Sequence, residues 1–572
     1  MKKKLRGLVA LACAVLAALA VAVPARAEGG HTLTVRSETP GHNYVAYQVF
    51  AGDVSPDGVT LSNVSWGADV RGDALLAALK ASGAFGQSNP FESCESAADV
   101  AAVLSGDGFT ATQADAFAEV AGDNVEGNPI GFGFEAQEGG AYVYMATGLA
   151  AGYYLVQDAE GSPTDLAYAK TKFILQVVAD VTVDAKADHP TLTKTIVENG
   201  VELAATDAAI GDEVSFKLTS TVPEMDGYNR YHFVVTDTLS AGFALAKGFG
   251  VDDVTVEVGG TTLTDDYTVT TADEPGGGTT ITITLSDLLS YKSEDKSEAG
   301  NTLTIEYAAT VDDDAVIGGA GNANSATLRF SNDPNHTYEQ SVDADADHLG
   351  QTPPSVTRTY VGGLIIHKVN EIDEPLVGAR FAVTGDELNR VILVGAEFVE
   401  DDGGAYYALK SGTYTTVAPT DETSSSYVDD MTYKLSSTTT TVGASGEPKS
   451  VTSWVNAEGD IVVAGLSAGA YTVTELVAPD AYNKADPVTV KLGFVEPMSG
   501  ATACTWTKDG QDVTLETSEG RGLVPVTIEN LRGATLPSTG GMGKTVLVCV
   551  GVVIAVAAGV GLVAKYRADR LA

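Results

Sequence analysis

The chain has few cysteines and few basic residues, and both shortages limit what it can be. Four cysteines occur in 572 residues, and Cys13 and Cys549 lie in apolar runs near the two ends. The other two, Cys94 and Cys504, are about 400 residues apart, so a disulfide framework is not expected. With 34 Lys and Arg against 76 Asp and Glu, the formal net charge is −42, which excludes a nucleic-acid-binding surface.

Signatures of a turnover enzyme are also missing. The seven histidines show no metal-ligand spacing, and neither a Ser/His/Asp order nor a Gly-rich phosphate loop stands out. The acidic stretch from Asp343 to Asp347 has His348 and Pro354 where a calcium-binding EF-hand needs Gly and Glu. We interpret this stretch as an acidic strand or linker edge, and we expect no enzyme activity, no cofactor and no metal.

Residues 1–27 have the pattern of a secretory signal peptide. Four basic residues occur within the first six, an apolar run covers residues 8–23, and a small-x-small cleavage sequence covers residues 25–27. We therefore predict export, with Glu28 as the first residue of the mature protein.

The last segment, residues 534–572, begins with Leu536-Pro537-Ser538-Thr539-Gly540 and continues into an apolar run from Val546 to Ala564. This run of 19 residues is about long enough to span a bilayer. The basic residues behind it favour a cytoplasmic end. A plain membrane anchor is one interpretation of this tail. The order of motif, span and basic end is similar to the cell-wall sorting signal of Gram-positive surface proteins, in which a sortase cleaves the Thr–Gly bond and transfers the threonyl group to an amine.

Short runs of alternating apolar and polar residues dominate the mature chain and predict β-strands. One such run places Val214, Phe216 and Leu218 on a single face. Helical periodicity is concentrated in residues 75–120, where it predicts helices packed on a sheet. Breaks near Pro190 and at residues 352–355 suggest domains 28–190, 191–356 and 357–533.

Three N-terminal segments identify a family. Residues 44–53 (YVAYQVFAGD), 61–67 (LSNVSWG) and 152–156 (GYYLV) resemble the first domain of the backbone subunits of Gram-positive, sortase-assembled pili. The resemblance extends over essentially the whole chain. It implies a mainly β protein of tandem immunoglobulin-like (Cna-type) β-sandwich domains, with some helices in the N-terminal domain.

The middle segment resembles the isopeptide-forming second domain of these pilins through residues 210–214 (IGDEV), 234–240 (VVTDTLS) and 321–328 (GNANSATL). In that family a lysine is joined to an asparagine beside a carboxyl group. Burial lowers the pKa of a lysine and raises that of a carboxyl group, which supplies a neutral amine and an acid that polarises the carboxamide. The resemblance implies Lys194 as the amine, Asp237 as the acid and Asn324 as the amide. Asn324 shares strand parity with Leu328, and Asn322, with the same parity, is the alternative.

The C-terminal segment resembles a Cna B-type domain through residues 363–368 (GLIIHK), 376–381 (LVGARF), 469–475 (GAYTVTE) and 526–530 (VTIEN). The resemblance implies a bond between Lys368 and Asn530 with Glu475 as the acid. Glu475 shares its face with Tyr471 and Val473, so we predict that it is buried with partners.

A further lysine determines whether subunits polymerise. In backbone pilins a lysine near the end of the first domain attacks the sortase-bound threonyl group of the next subunit. Lys186 occupies that place, although it lacks the frequent Tyr-Pro before the lysine, and Lys170 and Lys172 are earlier candidates.

These resemblances imply the shaft subunit of a covalent fimbria that supports adhesion. The partners would be a pilin-class sortase, identical subunits joined head to tail, ancillary or tip pilins and a peptidoglycan precursor. The protein would be secreted, held briefly in the membrane and then anchored to the cell wall. The alternative is a monomeric, sortase-anchored adhesin.

Overall fold

The computed structural model describes residues 30–533 except 38–39, 56–57, 59, 107, 139–140, 160–169, 186–188, 265–266, 295–296, 335, 386–387, 389, 444–449 and 498–501. The predicted signal peptide, Lys186 and the predicted sorting signal with its span lie outside the described residues. Within the described ranges, no helix combines the length and the apolar character needed to cross a membrane.

The N-terminal domain has two small sheets that pack against each other, and its helices cover one of them. Its described strands are β1 His31–Ser37, β2 Tyr44–Val54, β3 Leu61–Trp66, β4 Ile130–Gly131, β5 Gly133–Glu138, β6 Ala141–Leu149, β7 Gly152–Asp158, β8 Lys172–Val177 and β9 Val181–Asp184. Its α-helices are α1 Gly72–Ala81, α2 Ala97–Leu104 and α3 Ala111–Gly122. One sheet has the order β5-β6-β1-β9, and the other has β3-β2-β7-β8 with β4 beside β2.

Local capping explains where two of these helices begin. Ser96 and Asp99 form a capping box at the start of α2, and Thr110 and Gln113 form one at the start of α3. Each box satisfies backbone N–H groups that a helix end would otherwise leave unpaired. The prediction of a mainly β chain with helices in the N-terminal domain is confirmed.

The middle domain is a sandwich of two sheets. Its described strands are β10 Thr193–Glu198, β11 Val201–Leu203, β12 Ala205–Asp207, β13 Glu213–Thr221, β14 Phe233–Leu239, β15 Phe243–Ala244, β16 Thr255–Val258, β17 Thr261–Thr262, β18 Tyr267–Asp273, β19 Thr279–Leu285, β20 Thr302–Val311, β21 Asn322–Ser331, β22 Leu349–Gln351 and β23 Ser355–Tyr360. The first sheet has the order β11-β10-β13-β20-β16-β17 with β15 on β20. The second has the order β12-β23-β21-β14-β19-β18 with β22 on β21.

Hydrogen bonds connect the strands of the C-terminal domain into one sheet, and most of its buried apolar side chains form one cluster. Its described strands are β24 Gly362–Asn370, β25 Arg380–Gly385, β26 Val391–Glu400, β27 Tyr406–Leu409, β28 Tyr414–Thr415, β29 Tyr427–Val442, β30 Ser450–Trp454, β31 Asp460–Leu466, β32 Gly469–Val477, β33 Val488–Val495, β34 Thr505–Lys508, β35 Gln511–Asp512, β36 Glu516–Ser518 and β37 Arg521–Asn530. The main order is β35-β34-β33-β32-β25-β30-β26-β31-β24-β37-β36. Because β24 pairs in parallel with β37, the first and last long strands of the domain are neighbours.

Strand pairing places the second domain boundary later than the sequence breaks suggested. The predicted boundary at residue 356 falls inside β23. This strand pairs with β21 and β12, so the middle domain continues to Tyr360. Residues 352–354 of the predicted break connect β22 to β23, and the polypeptide changes domain only after β23 is complete.

The middle and C-terminal domains share apolar packing. Ile210 is fully buried in a cluster that also contains Ile365 and Leu523 of the C-terminal domain. Its N–H donates to the carbonyl of Gly465 at 3.1 Å. The junction with the N-terminal domain includes a polar contact, in which Lys170 Nζ donates to Asp333 Oδ2 at 2.7 Å.

Candidate functional site

The middle domain brings four polar side chains together between its two sheets. Lys194 on β10 and Tyr307 on β20 extend from one sheet, and Asp237 on β14 and Asn324 on β21 extend from the other. All four are buried, and the exposed fractions of Asp237 and Asn324 are both 0%. The strand alternation that turns apolar neighbours inward also turns these residues inward.

The hydroxyl of Tyr307 lies at the centre of this cluster. It donates to Asp237 Oδ2 at 2.7 Å and accepts from Asn324 Nδ2 at 2.7 Å. It also accepts from Lys194 Nζ at 3.0 Å, and the same Nζ donates to Asp237 Oδ2. One hydroxyl group therefore contacts the amine, the carboxyl group and the carboxamide.

Burial strongly affects the charges in this cluster. Desolvation lowers the pKa of Lys194, an effect that the Asp237 carboxylate opposes. Burial, with a smaller contribution from Asp237, holds the pKa of Tyr307 well above its ordinary value, so the phenol keeps its proton. Two oxygens, Asp237 Oδ1 and Asn324 Oδ1, have no hydrogen-bond donor among the described residues. Since both are acceptors, a proton on the carboxyl group would supply a donor that the site lacks.

The structure separates the two candidate asparagines of β21. Both are buried, as the shared strand parity predicted. However, Asn322 Nδ2 donates to the backbone carbonyls of Val316 and Thr359, and Asn322 Oδ1 accepts from the N–H of Val316 at 2.8 Å. Its amide therefore bridges backbone segments, whereas Asn324 is the one that joins the cluster.

The second predicted set lies in the core of the C-terminal domain. Asn530 Nδ2 on β37 donates to Glu475 Oε1 on β32 at 2.8 Å, and the N–H of Ala485 donates to Glu475 Oε2 at 2.6 Å. Lys368 on β24 donates to the carbonyl of Ile528 at 3.0 Å, two residues before Asn530 on the neighbouring parallel strand. The prediction that Glu475 is buried with partners agrees with its exposed fraction of 1%.

Burial also changes the Lys368 amine. It lowers the pKa of Lys368 to about 8, although Glu475 and Glu529 act in the opposite direction. The carboxamide oxygen of Asn530 has no donor among the described residues. This set therefore combines a weakly basic amine with a carboxamide that is hydrogen-bonded directly to a carboxyl group.

The family resemblance implied three members of the first cluster, and the reading of the sequence missed Tyr307. The signal was present, because Leu303, Ile305 and Tyr307 share one parity on β20, whose burial alternates along its length. A tyrosine at such a position is usually interpreted as a core residue. Only the packing of β20 against the opposite sheet shows that its hydroxyl meets three polar groups.

The amines of the two alternative polymerisation lysines are both affected by burial. Lys170 is buried, and its Nζ is paired with Asp333 of the middle domain. Burial lowers the pKa of Lys172, which lies on β8 near Glu119 of α3. Lys186 is outside the described residues.

Comparisons with known proteins identify two domains of the chain. Residues 210–334 match the family model of the Gram-positive pilin backbone subunit 2, Cna-B-like domain. Residues 415–509 match the SpaA model, a prealbumin-like fold domain. The chain therefore contains a Gram-positive pilin backbone domain and, after it, a prealbumin-like domain.

Solved pilins are also similar in structure. The T6 backbone pilin of serotype M6 Streptococcus pyogenes is 15% identical, with 88% of this chain and 99% of that chain covered and a TM-score of 0.45. The major pilin SpaA of Corynebacterium diphtheriae is 14% identical, with 88% and 100% covered and a TM-score of 0.42. The group B streptococcus pilus 2b backbone protein is 21% identical, with 60% and 99% covered and a TM-score of 0.35. No curated protein sequence matches the chain.

Proposed function

We propose that this protein is the shaft subunit of a covalently polymerised, cell-wall-anchored pilus, and that its middle and C-terminal domains each form an internal Lys–Asn isopeptide bond. The observation that carries the proposal is the presence of two buried sets of lysine, acid and asparagine, one of them in a domain of the pilin backbone type. Buried lysines and carboxyl groups are rare without a specific reason. Bond formation would remove the positive charge of the lysine and the negative charge of the carboxylate from the core.

In the middle domain, Lys194 and Asp237 start as an ion pair. Proton transfer within the pair gives a neutral amine and a carboxylic acid, which are the two species that the reaction needs. The acid polarises the Asn324 carboxamide, and Nζ attacks Cγ. The new C–N bond replaces the Cγ–Nδ2 bond, and the nitrogen of the carboxamide leaves as ammonia.

In the C-terminal domain, the same chemistry would join Lys368 to Asn530 with Glu475 as the acid. The Glu475 carboxyl group already accepts from the carboxamide nitrogen of Asn530. Because β24 and β37 are adjacent, this bond would connect the first and last long strands of the domain. Tension along a fibre would then pass through a covalent bond as well as the hydrogen bonds between these strands.

Intact mass tests the internal bonds. Each bond releases one ammonia, so a recombinant protein covering residues 28–533 should weigh about 34 Da less than its sequence mass. Asp237→Ala and Glu475→Ala should each restore about 17 Da, in different domains. A wild-type protein with the full sequence mass would contradict the proposal for both domains.

Polymer formation tests the shaft role. We propose that Thr539, within Leu536-Pro537-Ser538-Thr539-Gly540, is the acyl donor for a pilin-class sortase and that Lys186 is the acceptor. Thr539→Ala should abolish both polymers and wall anchoring, whereas Lys186→Ala should abolish only the ladder of polymers in wall extracts. An unchanged ladder in the Lys186→Ala variant would assign the acceptor to another amine. A wild-type protein that is anchored without any ladder would instead indicate a monomeric surface protein.

A further inference from the structure

We propose that Tyr307 is a catalytic residue of bond formation in the middle domain, where its hydroxyl group carries a proton to the departing nitrogen of Asn324. This inference rests on the proposed function, because it concerns the same Lys194–Asn324 reaction. It adds to that reaction a residue from outside the lysine, acid and asparagine set.

The first argument is the position of the hydroxyl oxygen. It is 3.0 Å from Lys194 Nζ, 2.7 Å from Asn324 Nδ2 and 2.7 Å from Asp237 Oδ2. A hydroxyl group can donate one hydrogen bond and accept two, so these three contacts use its full capacity. The attacking nitrogen and the leaving nitrogen therefore share one hydrogen-bonding partner.

The second argument is the difference between the two domains. In the C-terminal domain, Glu475 Oε1 contacts Asn530 Nδ2 directly at 2.8 Å. In the middle domain the acid is an aspartate, which is one methylene shorter, and the Tyr307 hydroxyl lies between Asp237 Oδ2 and Asn324 Nδ2. The Tyr307 hydroxyl thus links the acid to the carboxamide in the middle domain, whereas Glu475 contacts its carboxamide directly in the other domain.

The proton balance shows what the hydroxyl group does. Lys194 gives a proton to Asp237, and the neutral Nζ attacks Cγ of Asn324. As the Cγ–Nδ2 bond breaks, the Tyr307 hydroxyl gives its proton to Nδ2 and takes the acid proton from Asp237. Nζ then returns one proton to the Asp237 carboxylate. The products are an amide, ammonia, an unchanged phenol and a protonated Asp237, so every proton is accounted for.

The surroundings of Tyr307 favour proton transfer through a phenol that stays uncharged. Burial holds the pKa of Tyr307 well above its ordinary value, which disfavours a phenolate. Lys194 Nζ also lies 4.8 Å from the ring centroid of Phe216, so an aromatic ring packs against the amine. All four side chains are buried, and the Tyr307 hydroxyl is the group that contacts both the acid and the departing nitrogen.

The test compares Tyr307→Phe with Tyr338→Phe in the full-length chain. Both tyrosines are buried in the middle domain. The Tyr338 hydroxyl also makes three hydrogen bonds, to the carbonyl of His348 and from the N–H groups of Asn332 and Asp333. The control variant thus loses an equally bonded hydroxyl group that lies outside the cluster.

Each chain is made by cell-free translation with detergent and sampled over time, and the cross-linked peptides are quantified by mass spectrometry after digestion. Tyr307→Phe should slow the Lys194–Asn324 bond at least about 100-fold, the usual size of a lost proton-transfer group. The Lys368–Asn530 bond in the same chains should form at the wild-type rate. Tyr338→Phe should leave both rates within about twofold of wild type, well below that effect.

The outcomes separate this inference from the proposed function. If the wild-type chain never links Lys194 to Asn324, the proposed isopeptide chemistry of this domain fails. If the wild-type chain links and Tyr307→Phe links equally fast, only the role of Tyr307 is overturned. If Tyr307→Phe loses the protease resistance of the middle domain, chains made with 3-fluorotyrosine provide the folded comparison. Because 3-fluorotyrosine has a more acidic phenol, it should speed formation of the Lys194–Asn324 bond and not of the Lys368–Asn530 bond. Equal effects on both bonds would overturn the role of Tyr307.

Discussion

Replacing Lys368 with methionine should reveal how much the second internal bond stabilises its domain. Methionine is similar in length and apolar, so it can fill the buried space of Lys368 but cannot form the bond. The bond would close a loop of about 160 residues, since Lys368 contacts Ile528 just before Asn530. For a disulfide across a loop of that length, the chain-entropy relation gives about 5 kcal/mol.

We therefore expect Lys368→Met to lower the free energy of unfolding of the C-terminal domain by about 5 kcal/mol. For a domain of this size, that difference corresponds to a fall of about 10–20 °C in Tm. Differential scanning calorimetry of the protein covering residues 28–533 measures it, with intact mass confirming the loss of one bond. Lys491→Met, at an exposed position of β33, is the matched control and should leave the Tm within about 2 °C of wild type. The reasoning is refuted if wild type carries the bond and Lys368→Met unfolds within about 1 kcal/mol of it.

Three further predictions concern titrating and paired groups. The proposed reaction needs one proton on the pair of Lys368 and Glu475, and burial lowers the pKa of Lys368 to about 8, so the Lys368–Asn530 bond should form about tenfold more slowly per pH unit above about pH 8. A rate that rises through pH 8 in refolding experiments would show that no acid is needed. Burial acts to raise the pKa of Asp345, but hydrogen bonds from His336 and His232 hold it below its ordinary value of 3.8, so its stabilising contribution is present at neutral pH and lost as the pH falls through that lowered pKa. Asp345→Asn should therefore lower the Tm at pH 7 clearly more than at pH 3, and equal shifts would contradict this assignment. Lys170→Met should lower the free energy of unfolding in guanidinium by about 3–5 kcal/mol, because it removes the lysine that pairs with the buried Asp333. A loss below about 1 kcal/mol would show that the pair does not hold the first two domains together.

Local patterns were sufficient to predict much of the fold, and the family resemblance implied the residues of the two sites. Alternation on β13 and on β32 predicted which side chains point inward, including Glu475, because successive residues of a strand face opposite sides. Apolar residues spaced three or four apart predicted the three α-helices, because such residues lie on one face of a helix. The predicted residues of both sites lie in the two domain cores, although the bonds themselves remain predictions.

Other features depend on partners distant in the sequence. We interpreted the stretch around Asp345 as an acidic strand or linker edge, and this interpretation was wrong. Asp345 lies in a 3₁₀ helix, Val342–His348, and is buried where it accepts from His232 and His336. His232 is 113 residues away in the sequence, so no local pattern could reveal the pair.

The sequence by itself determined the mainly β class and the inward faces of the strands, because both depend on residue type and spacing along one element. The lysines, acids and asparagines of the two sites were implied by the family resemblance. Tertiary structure alone decided that Asn324 and not Asn322 lies in the cluster with Lys194 and Asp237, and that the Tyr307 hydroxyl contacts all three side chains. The two asparagines have the same parity and the same burial, so they differ only in what the opposite sheet and the neighbouring loop place against them. Contacts across a β-sandwich are set by how two sheets pack, and that packing has no periodic signature in the chain.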